Sequence, residues 1–283
     1  MIRLTLSLIT TLFLMAQEGI SQSTPSLKVM TFNIRYDNPG DGEHSWEYRK
    51  QRVTNILQFY NANVFGLQEA LHHQVTYLEK QLPDLKRVGV GRDDGKEKGE
   101  YSPIFYDSDI LESVEQGTFW LSKTPDKPSK DWDAALPRIA TWVLLHHLST
   151  GDTIFVCNTH FDHRGEDARL ESARLLKNKL PQLAQNHPVV LMGDFNSSPE
   201  SDPYKALVKG RNFLDAKLVS SHTSIGPEPT FSGFKVTPEL DSDRIDHIFV
   251  SGSINVLRHA TITEEQNGNY PSDHFPVYAE ISW

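Results

Sequence analysis

Apolar residues recur along the chain in short runs separated by polar or glycine-rich segments. Several runs are apolar at consecutive positions and rich in β-branched and aromatic residues, which is typical of strands buried on both faces. The segments that we predict to be strands are 27–34, 64–67, 104–106, 118–121, 139–145, 154–158, 189–192, 248–250 and 277–281.

Two other segments have the spacing of an amphipathic helix, with apolar residues three and four positions apart. Their apolar stripes consist of Val53, Ile56, Leu57 and Tyr60, and of Ala173, Leu176, Leu180 and Leu183. The strands are apolar on both faces and alternate with amphipathic helices. This pattern predicts sheets that pack against each other and are covered on the outside by helices.

Four intervening segments are rich in Gly, Pro, Ser and charge, and we predict that they are surface loops: 37–45, 92–101, 125–136 and 220–235. Apolar runs resume after each of them and no shift in composition divides the chain. We therefore predict a single domain over residues 23–283.

The first 22 residues differ from the rest. Arg3 precedes an apolar run over 4–15 and then a small and polar stretch, as in a secretory signal peptide, and the run is too short for a comfortable membrane span. We expect residues 1–22 to be removed, leaving a soluble, secreted or periplasmic protein without a membrane span. An N-terminal anchor is the alternative.

The charge and the cysteine content argue against three kinds of function. The formal net charge is −9 over 283 residues, so affinity for a nucleic-acid backbone through a basic face is not expected. The single cysteine, Cys157, lies in an apolar run and is predicted to be a buried core residue rather than a nucleophile. No Cys/His zinc pattern is present.

Polar residues capable of chemistry stand at the ends of apolar runs. They are Asn33, Glu69, His160, Asp194, Asn196, Asp246, Asp273 and His274. Each one alone could cap a helix or form a turn. Together they are all carboxylates, carboxamides and imidazoles, which supply hard oxygen ligands for Mg²⁺ and hydrogen-bonding groups for a phosphoryl oxygen.

The segments around these residues resemble, in order, the motifs of the endonuclease/exonuclease/phosphatase superfamily. They are TFNIR (31–35), LQE (67–69), NTH (158–160), GDFN (193–196), RIDHIF (244–249) and PSDHFPV (271–277). The resemblance covers residues 27–283. It implies an α+β fold of the DNase I type, a four-layer αββα sandwich with two packed mixed sheets flanked by helices and a site at one sheet edge.

The resemblance also implies roles for individual residues. Glu69 would hold the metal with Asn33 beside it and Asp273 as a further ligand, the metal being Mg²⁺ with Mn²⁺ as a possible substitute. The implied catalytic residues are His160, Asp194, Asn196, Asp246 and His274. Asp194 would orient or deprotonate water, and His274, aligned by Asp246, would act as a base or as a phosphate-binding imidazolium.

One position departs from the nuclease pattern: Arg35 stands where some nucleases carry an acidic residue, which indicates an extra phosphate contact. Other segments resemble a subgroup of secreted bacterial members. Their polar residues Glu100, Arg138, Asp162 and His163 are candidates for the pocket rim, with a surface salt bridge as the alternative for Arg138. Among the aromatic residues, Trp120 and Trp142 are predicted in the core, whereas Tyr36, Trp46 and Trp132 could contact a ligand.

The sequence therefore predicts a Mg²⁺-dependent hydrolase of phosphoester bonds, a phosphodiesterase or phosphatase acting on a small or single-stranded phosphorylated substrate. The expected partner is a phosphorylated small molecule or short nucleic acid, without a stable nucleic-acid complex, and the expected state is a monomer. Two alternatives stay open: a DNase I-like endonuclease on duplex DNA, and a catalytically silent binding module.

Overall fold

The structure is a computed structural model that describes residues 25–236 and 242–283. The predicted signal peptide, residues 1–22, lies outside the described residues. The strands are β1 (Ser26–Asn33), β2 (Val64–Gln68), β3 (Leu85–Val88), β4 (Ile104–Asp107), β5 (Leu111–Trp120), β6 (Ile139–His147), β7 (Thr153–His160), β8 (Val189–Asp194), β9 (Leu214–Asp215), β10 (Asp246–Val250), β11 (Asn255–Thr261) and β12 (Val277–Ser282).

Five α-helices connect the strands: α1 (Trp46–Tyr60), α2 (His72–Gln81), α3 (Glu166–Leu183), α4 (Asp202–Val208) and α5 (Ala216–Val219). Two 3₁₀ turns, Pro39–His44 and Lys209–Arg211, complete the regular structure of the described residues. None of the helices in this part of the chain is long and apolar enough to cross a membrane.

The strands form two sheets of six, in the orders β11-β12-β1-β2-β4-β3 and β5-β6-β7-β8-β10-β9. The pairs β1–β2 and β7–β8 are parallel and the remaining pairs are antiparallel, so both sheets are mixed. The sheets pack face to face, with helices outside. The predicted α+β sandwich of two mixed sheets flanked by helices is confirmed.

Three apolar clusters fill the layers. One lies between the sheets and includes Val29, Val156 and Val190. The second joins the sheet of β5–β10 to α3 and α4, and the third joins the sheet of β1–β4 to α1 and α2. Residues facing both ways along β1 and β8 are buried, which explains their unbroken apolar runs.

The helical stripes read from the sequence are the buried faces of α1 and α3. Val53, Ile56 and Leu57 face the core from α1, which ends where Asn61 adopts a left-handed conformation with φ 45°. Leu176 and Leu180 do the same from α3.

A buried polar bridge joins the two sheets beneath one edge. The Asn158 side chain on β7 donates to the carbonyl oxygens of Leu67 (2.8 Å) and Pro103 (2.9 Å), and accepts from Gln68 Nε2 at 2.6 Å. Gly66 leaves room for this bridge, because a Cβ there would lie 2.4 Å from Asn158 Cγ. The bridge fixes the two sheets relative to each other where the motif residues emerge.

Candidate active site

Strand direction brings the motif residues to one edge of the sandwich. Asn33 ends β1, Glu69 follows β2, His160 ends β7 and Asp194 ends β8. The strands β10 and β12 run antiparallel to β8 and β1, so their first residues reach the same edge. This direction places Asp246 at the start of β10, and Asp273 with His274 just before β12.

Asp194 lies at the centre of the site because of the register in which β8 pairs with its two neighbouring strands. It pairs with His160 on β7 and with Asp246 on β10. The preceding Gly193 is required by close packing, since a Cβ there would lie 2.1 Å from the carbonyl oxygen of Thr159. All three side chains at this register are buried.

His274 lies between two carboxylates. Its Nδ1 is 2.9 Å from Asp246 Oδ2, and its Nε2 is 3.8 Å from Asp194 Oδ2. Burial opposes the charged imidazole, but the charges of Asp246 and Asp194 outweigh it and raise the pKa of His274 well above its usual value. The geometry therefore favours an imidazolium at neutral pH.

Two N–H donors hold the Asp194 carboxylate, one from the Asn33 side chain and one from the backbone of Asn196. Its Oδ2 accepts from Asn33 Nδ2 at 2.9 Å and its Oδ1 accepts from the backbone N–H of Asn196 at 2.9 Å. Burial and the nearby charge of Asp246 raise the pKa of Asp194 to about 7. A carboxylate so placed is suited to accept a proton from water near neutral pH.

His160 and Asn196 form the opposite wall of the site. Asn196 Nδ2 lies 3.2 Å from His160 Nε2 and donates to the carbonyl oxygen of Phe161 at 3.1 Å. Burial, together with the guanidinium groups of Arg138 and Arg92, lowers the pKa of His160 well below its usual value. His160 is therefore neutral where His274 is charged.

Backbone conformation at the edge is also unusual. Arg35, Glu69 and Asn196 all have positive φ, at 57°, 59° and 45°. Left-handed conformations cost energy for residues with side chains and cluster at functional sites. Their coincidence beside one cavity supports a functional assignment of this edge.

The residues predicted to bind metal gather around the Arg35 guanidinium. Glu69 Oε2 lies 3.8 Å from one terminal nitrogen of Arg35, and Asp273 Oδ2 lies 3.8 Å from Arg35 Nε. Burial raises the pKa of the Asp273 carboxyl. Glu69, Asp273 and Asp194 all line one cavity and offer hard carboxylate oxygens, which are the ligands a divalent cation such as Mg²⁺ prefers, so the donor set fits such an ion.

The Asn33 side chain fits this set less directly. It turns its amide nitrogen toward Glu69 Oε1 (3.1 Å), and its oxygen accepts from the backbone N–H of Arg35 (3.0 Å). An oxygen contact to a cation would require the carboxamide to reverse.

Among residues 25–236 and 242–283, the group of three acidic or imidazole side chains with ligand atoms within 4.8 Å of one another is Asp194, Asp246 and His274. His274 Nδ1 and Asp246 Oδ2 already contact each other at 2.9 Å, and the two groups compensate each other's charge. We interpret this cluster as a charge-compensated catalytic trio.

Most of the residues predicted at the pocket rim line the cavity. Glu100 lines the cavity, accepts two hydrogen bonds from Arg92, and lies 3.8 Å from His160 Nδ1. Arg138 and His163 also line the cavity, joined by a 2.9 Å contact between their side-chain nitrogens. Arg35 lines it too, although Asp41 binds its guanidinium at 2.9 Å.

Asp162 lies behind this wall rather than on it. It is 1% exposed, accepts from the backbone N–H groups of Arg164 and Gly165, and pairs with Arg138 at 3.3 Å. Its position indicates that Asp162 orients Arg138 and does not contact a ligand itself.

The aromatic predictions are confirmed in part. Trp120 and Trp142 are buried in the core as predicted. The expectation for Trp46 is wrong: it stands at the start of α1, is 4% exposed, and packs edge-on against Tyr77 of α2. Tyr36 lines the cavity, and so does Phe231, which the sequence did not single out and which lies edge-on to His274 at 5.0 Å.

Two buried side chains that were not predicted hold the segment after β1. Arg49 of α1 donates to the carbonyl oxygens of Ile34, Arg35 and Pro271, and Gln74 Nε2 of α2 donates to that of Arg35 at 3.0 Å. A signal for Arg49 was available. It stands four residues before Val53 on the apolar stripe of α1, where an arginine must be buried with partners.

Comparisons with known proteins agree with this geometry. The model of the Endonuclease/Exonuclease/phosphatase family matches residues 30–274. A solved structure of a family protein from Bacteroides thetaiotaomicron is 38% identical, with a TM-score of 0.89 over 92% of this chain and 98% of that chain. A mannosyl-6-phosphatase from the same species is 39% identical, with a TM-score of 0.87 over 91% of this chain and 100% of that one.

Among curated proteins, the chain is 25% identical to the CCR4-Not complex 3'-5'-exoribonuclease subunit Ccr4 of Mycosarcoma maydis. The match covers 91% of this chain and 50% of that protein, so the chain spans half the length of this relative.

The chain belongs to the Endonuclease/Exonuclease/phosphatase family. Members of this family are hydrolases that act on phosphoester bonds and generally depend on a divalent metal. The predicted superfamily is therefore confirmed, and the predicted secreted bacterial subgroup stays a prediction.

Proposed function

We propose that this protein is a Mg²⁺-dependent hydrolase of a small phosphorylated substrate, with a sugar phosphomonoester as the leading candidate. The observation that carries the proposal is the arrangement of His274, Asp194 and Asn196 around one cavity that also contains Glu69 and Asp273. Water, a phosphoryl group and a divalent cation can all be held within this space.

In the proposed reaction, water attacks phosphorus while the bond from phosphorus to the ester oxygen breaks. Asp194 orients the water through the oxygen that Asn33 also contacts, and accepts its proton. The products are an alcohol and inorganic phosphate: the leaving oxygen takes up a proton from solvent, and Asp194 then returns to solvent the proton that it took from water. No covalent intermediate is needed.

The two histidines and Asn196 would hold the phosphoryl oxygens. The imidazolium of His274 offers an N–H from Nε2 and a positive charge, while neutral His160 and the Asn196 carboxamide offer hydrogen bonds from the opposite wall. Glu69 and Asp273 would hold the cation, with Asn33 as a third ligand after reversal of its amide. When bound, Mg²⁺ stabilises negative charge on the phosphoryl and leaving oxygens.

Three features support a small substrate. The cavity has a volume of about 460 Å³, within the range of small-ligand sites. The protein is acidic, with a formal charge of −9. The 39% identical structure from B. thetaiotaomicron is a mannosyl-6-phosphatase, whose substrate class is carried over here as a proposal.

A short single-stranded nucleic acid is the second candidate, favoured by the similarity to Ccr4, an exoribonuclease subunit. Both candidates use the same phosphate site and differ in the group attached to it.

The experiment that tests the proposal compares substrates under one set of conditions. The purified protein would be assayed with Mg²⁺, Mn²⁺ or EDTA against p-nitrophenyl phosphate, bis-p-nitrophenyl phosphate, hexose phosphates and short oligoribonucleotides. We expect Mg²⁺-dependent release of phosphate, fastest from a hexose phosphate. Absence of hydrolysis of every ester with Mg²⁺ present would support a silent binding module instead.

We also propose that the protein is exported after removal of residues 1–22, on the basis of Arg3 and the apolar run after it. Cell fractionation followed by N-terminal sequencing tests this. Retention of residue 1 in a membrane fraction would support the anchor alternative.

A further inference from the structure

A chain of three contacting side chains runs from the protein interior to the mouth of the cavity. Asp162 Oδ2 lies 3.3 Å from Arg138 Nε, and a terminal nitrogen of Arg138 lies 2.9 Å from His163 Nδ1. Asp162 and Arg138 are buried, whereas His163 is exposed and lines the cavity. The proposed reaction gives this chain of side chains no role.

The contact with Arg138 determines where His163 carries its proton. A guanidinium has N–H donors and no acceptor, so Arg138 donates and Nδ1 of His163 accepts. An accepting Nδ1 carries no proton, and the imidazole is then neutral with its proton on Nε2. Burial and the charge of Arg138 also lower the pKa of His163, which agrees with a neutral ring.

Asp162 keeps Arg138 in this position. Its carboxylate accepts from the backbone N–H groups of Leu136 (3.2 Å), Arg164 (3.0 Å) and Gly165 (2.9 Å). Burial alone would raise the pKa of Asp162, but these donors and the charge of Arg138 hold it well below its usual value. The carboxylate is therefore charged and fixed, and it orients the guanidinium toward His163.

His163 lies further out than the groups proposed to hold the phosphoryl group. His160, Asp194 and His274 are buried, whereas His163 is exposed. A phosphomonoester bound to the buried groups directs its alcohol portion toward the mouth, where His163 and Leu136 line the cavity. The contact of His163 with Arg138 uses Nδ1 and leaves the N–H of Nε2 for a ligand. A neutral donor at this depth suits a hydroxyl oxygen.

We propose that His163 is a specificity-determining residue whose Nε2–H donates to a hydroxyl oxygen of the substrate's alcohol portion, and that Arg138, held by Asp162, positions it in that tautomer. The inference rests on the proposed function and deepens it, since it favours esters of polyhydroxylated alcohols such as sugars. Leu136, 38% exposed at the same mouth, offers an apolar surface for the carbon atoms of such a group.

The first test removes the donor. His163→Leu should raise the KM for mannose 6-phosphate about fivefold, the effect of one lost neutral hydrogen bond. The KM and kcat for phenyl phosphate should stay unchanged, because its ring carries no hydroxyl group. His163→Gln, which keeps a neutral N–H donor, should restore most of the affinity. His222→Leu, at an exposed histidine outside the cavity, is the matched control.

The second test observes the tautomer directly. Long-range ¹⁵N–¹H correlation spectra distinguish protonated from unprotonated ring nitrogens, and the signals of His163 are those lost in His163→Gln. We expect Nδ1 without a proton and Nε2 with one near neutral pH. Arg138→Lys keeps the charge beside Asp162 but lacks the planar fork, so a mixture of tautomers is expected. Arg174→Lys, on the exposed surface of α3, is the control. The wild-type spectrum decides the tautomer even if Arg138→Lys does not fold.

The results separate this inference from the proposed function. If wild-type protein hydrolyses neither mannose 6-phosphate nor phenyl phosphate, the proposed function fails and the hydroxyl contact fails with it. If wild-type protein is active but His163→Leu changes both esters equally, or neither, the hydroxyl contact is wrong and the proposed function stands. A proton on Nδ1 of wild-type His163 would also overturn the inference, without affecting the proposed function.

Discussion

The protonation state of His274 depends largely on one neighbouring residue, Asp246. Its Nδ1 contacts Asp246, a buried carboxylate whose other oxygen has no hydrogen-bond partner among the described residues. That carboxylate raises the pKa of His274 through this contact, and its charge also raises the pKa of Asp194. Replacing the charge while keeping the shape isolates this effect.

We predict that Asp246→Asn lowers turnover about 10- to 100-fold, as loss of an orienting partner commonly does. An imidazolium that binds phosphate works below its pKa, and the carboxylate raises that pKa. The variant should therefore lose activity at lower pH than wild type, which a pH profile of kcat would show as an alkaline limb moved to lower pH.

Asp109→Asn, an exposed carboxylate near β5, is the control for a general change in charge. Full activity of Asp246→Asn with an unchanged pH profile would mean that Asp246 only shapes a turn.

Glu69 is the residue on which the proposed metal site depends most. We predict that Glu69→Gln abolishes most turnover and weakens Mg²⁺ binding while the fold stays intact, because the change removes charge without changing shape. Calorimetric titration with Mg²⁺ and thermal melting check the two parts separately. The exposed Glu265→Gln is the matched control. Wild-type activity of Glu69→Gln at limiting Mg²⁺ would remove Glu69 from the site.

The residues named from the sequence and those it missed differ in a physical way. Asn33, Asp194 and His274 stand at ends of apolar runs, so their position at a sheet edge follows from the strand pattern. Phe231 lies in an irregular segment, where no periodicity indicates which side chain faces a cavity. The contact of Phe231 with His274 depends on tertiary packing of a distant loop.

At the scale of elements, buried strands were predicted more completely than edge strands. The central strands are apolar on both faces and stand out in the sequence. The edge strands β3 and β9, and also β11, were missed because they are short or carry charged residues such as Lys86 and Arg258. The first half of β5 was missed for the same reason, since Glu112 and Glu115 interrupt its apolar pattern.

The contact between α1 and the site gives a prediction at this scale. Arg49 is fully buried, and burial lowers its pKa to about 10, so it stays charged at neutral pH. Its planar guanidinium bonds carbonyl oxygens on two separate segments, Ile34–Arg35 and Pro271. Lysine keeps the charge but cannot reproduce this set of contacts.

We predict that Arg49→Lys lowers the free energy of unfolding by about 2–3 kcal/mol, since buried carbonyl oxygens lose their donors. It should also raise the Mg²⁺ concentration needed for half-maximal activity, because Arg35 and Asp273 lie next to the segments that Arg49 holds. Chemical denaturation and Mg²⁺ titration measure the two effects. Arg52→Lys, one turn further along α1, is the control; equal effects of the two changes would contradict the prediction.

Two buried histidines of the described residues, His247 and His259, link stability to pH in addition to His160 of the site. Burial lowers the pKa of His247 and of His259 to about 4 each. Because the unfolded chain binds these protons near pH 6.5, the stabilisation is present above that pH and is lost as pH falls toward 4. Each histidine can contribute up to about 3 kcal/mol to this loss.

We predict that the melting temperature falls steeply between pH 6.5 and 4, and that His259→Gln makes the fall shallower. His259 lies on β11, away from the proposed site, and contacts Ser224 Oγ at 2.7 Å. The exposed His222→Gln is the control for loss of an imidazole. An identical pH dependence in wild type and His259→Gln would show that His259 does not contribute.

The distribution of charge over the molecule determines how strongly salt affects substrate recognition. Cations near the proposed site are few and already paired: Asp41 binds Arg35, and Asp162 binds Arg138. Recognition of a substrate should therefore depend on a few short-range contacts to one phosphoryl group, and short-range contacts in a partly buried site are screened little by salt.

A protein that neutralises about 6–10 phosphates of duplex DNA loses about 10³–10⁵ in affinity between 50 and 200 mM salt. We predict less than a tenfold fall of kcat/KM over that range, measured with a hexose phosphate and with an oligonucleotide at constant Mg²⁺. The comparison needs no knowledge of the physiological substrate, because it measures how many backbone charges the protein engages. Steep inhibition by salt, together with efficient nicking of plasmid DNA, would replace the small-substrate proposal with a duplex endonuclease.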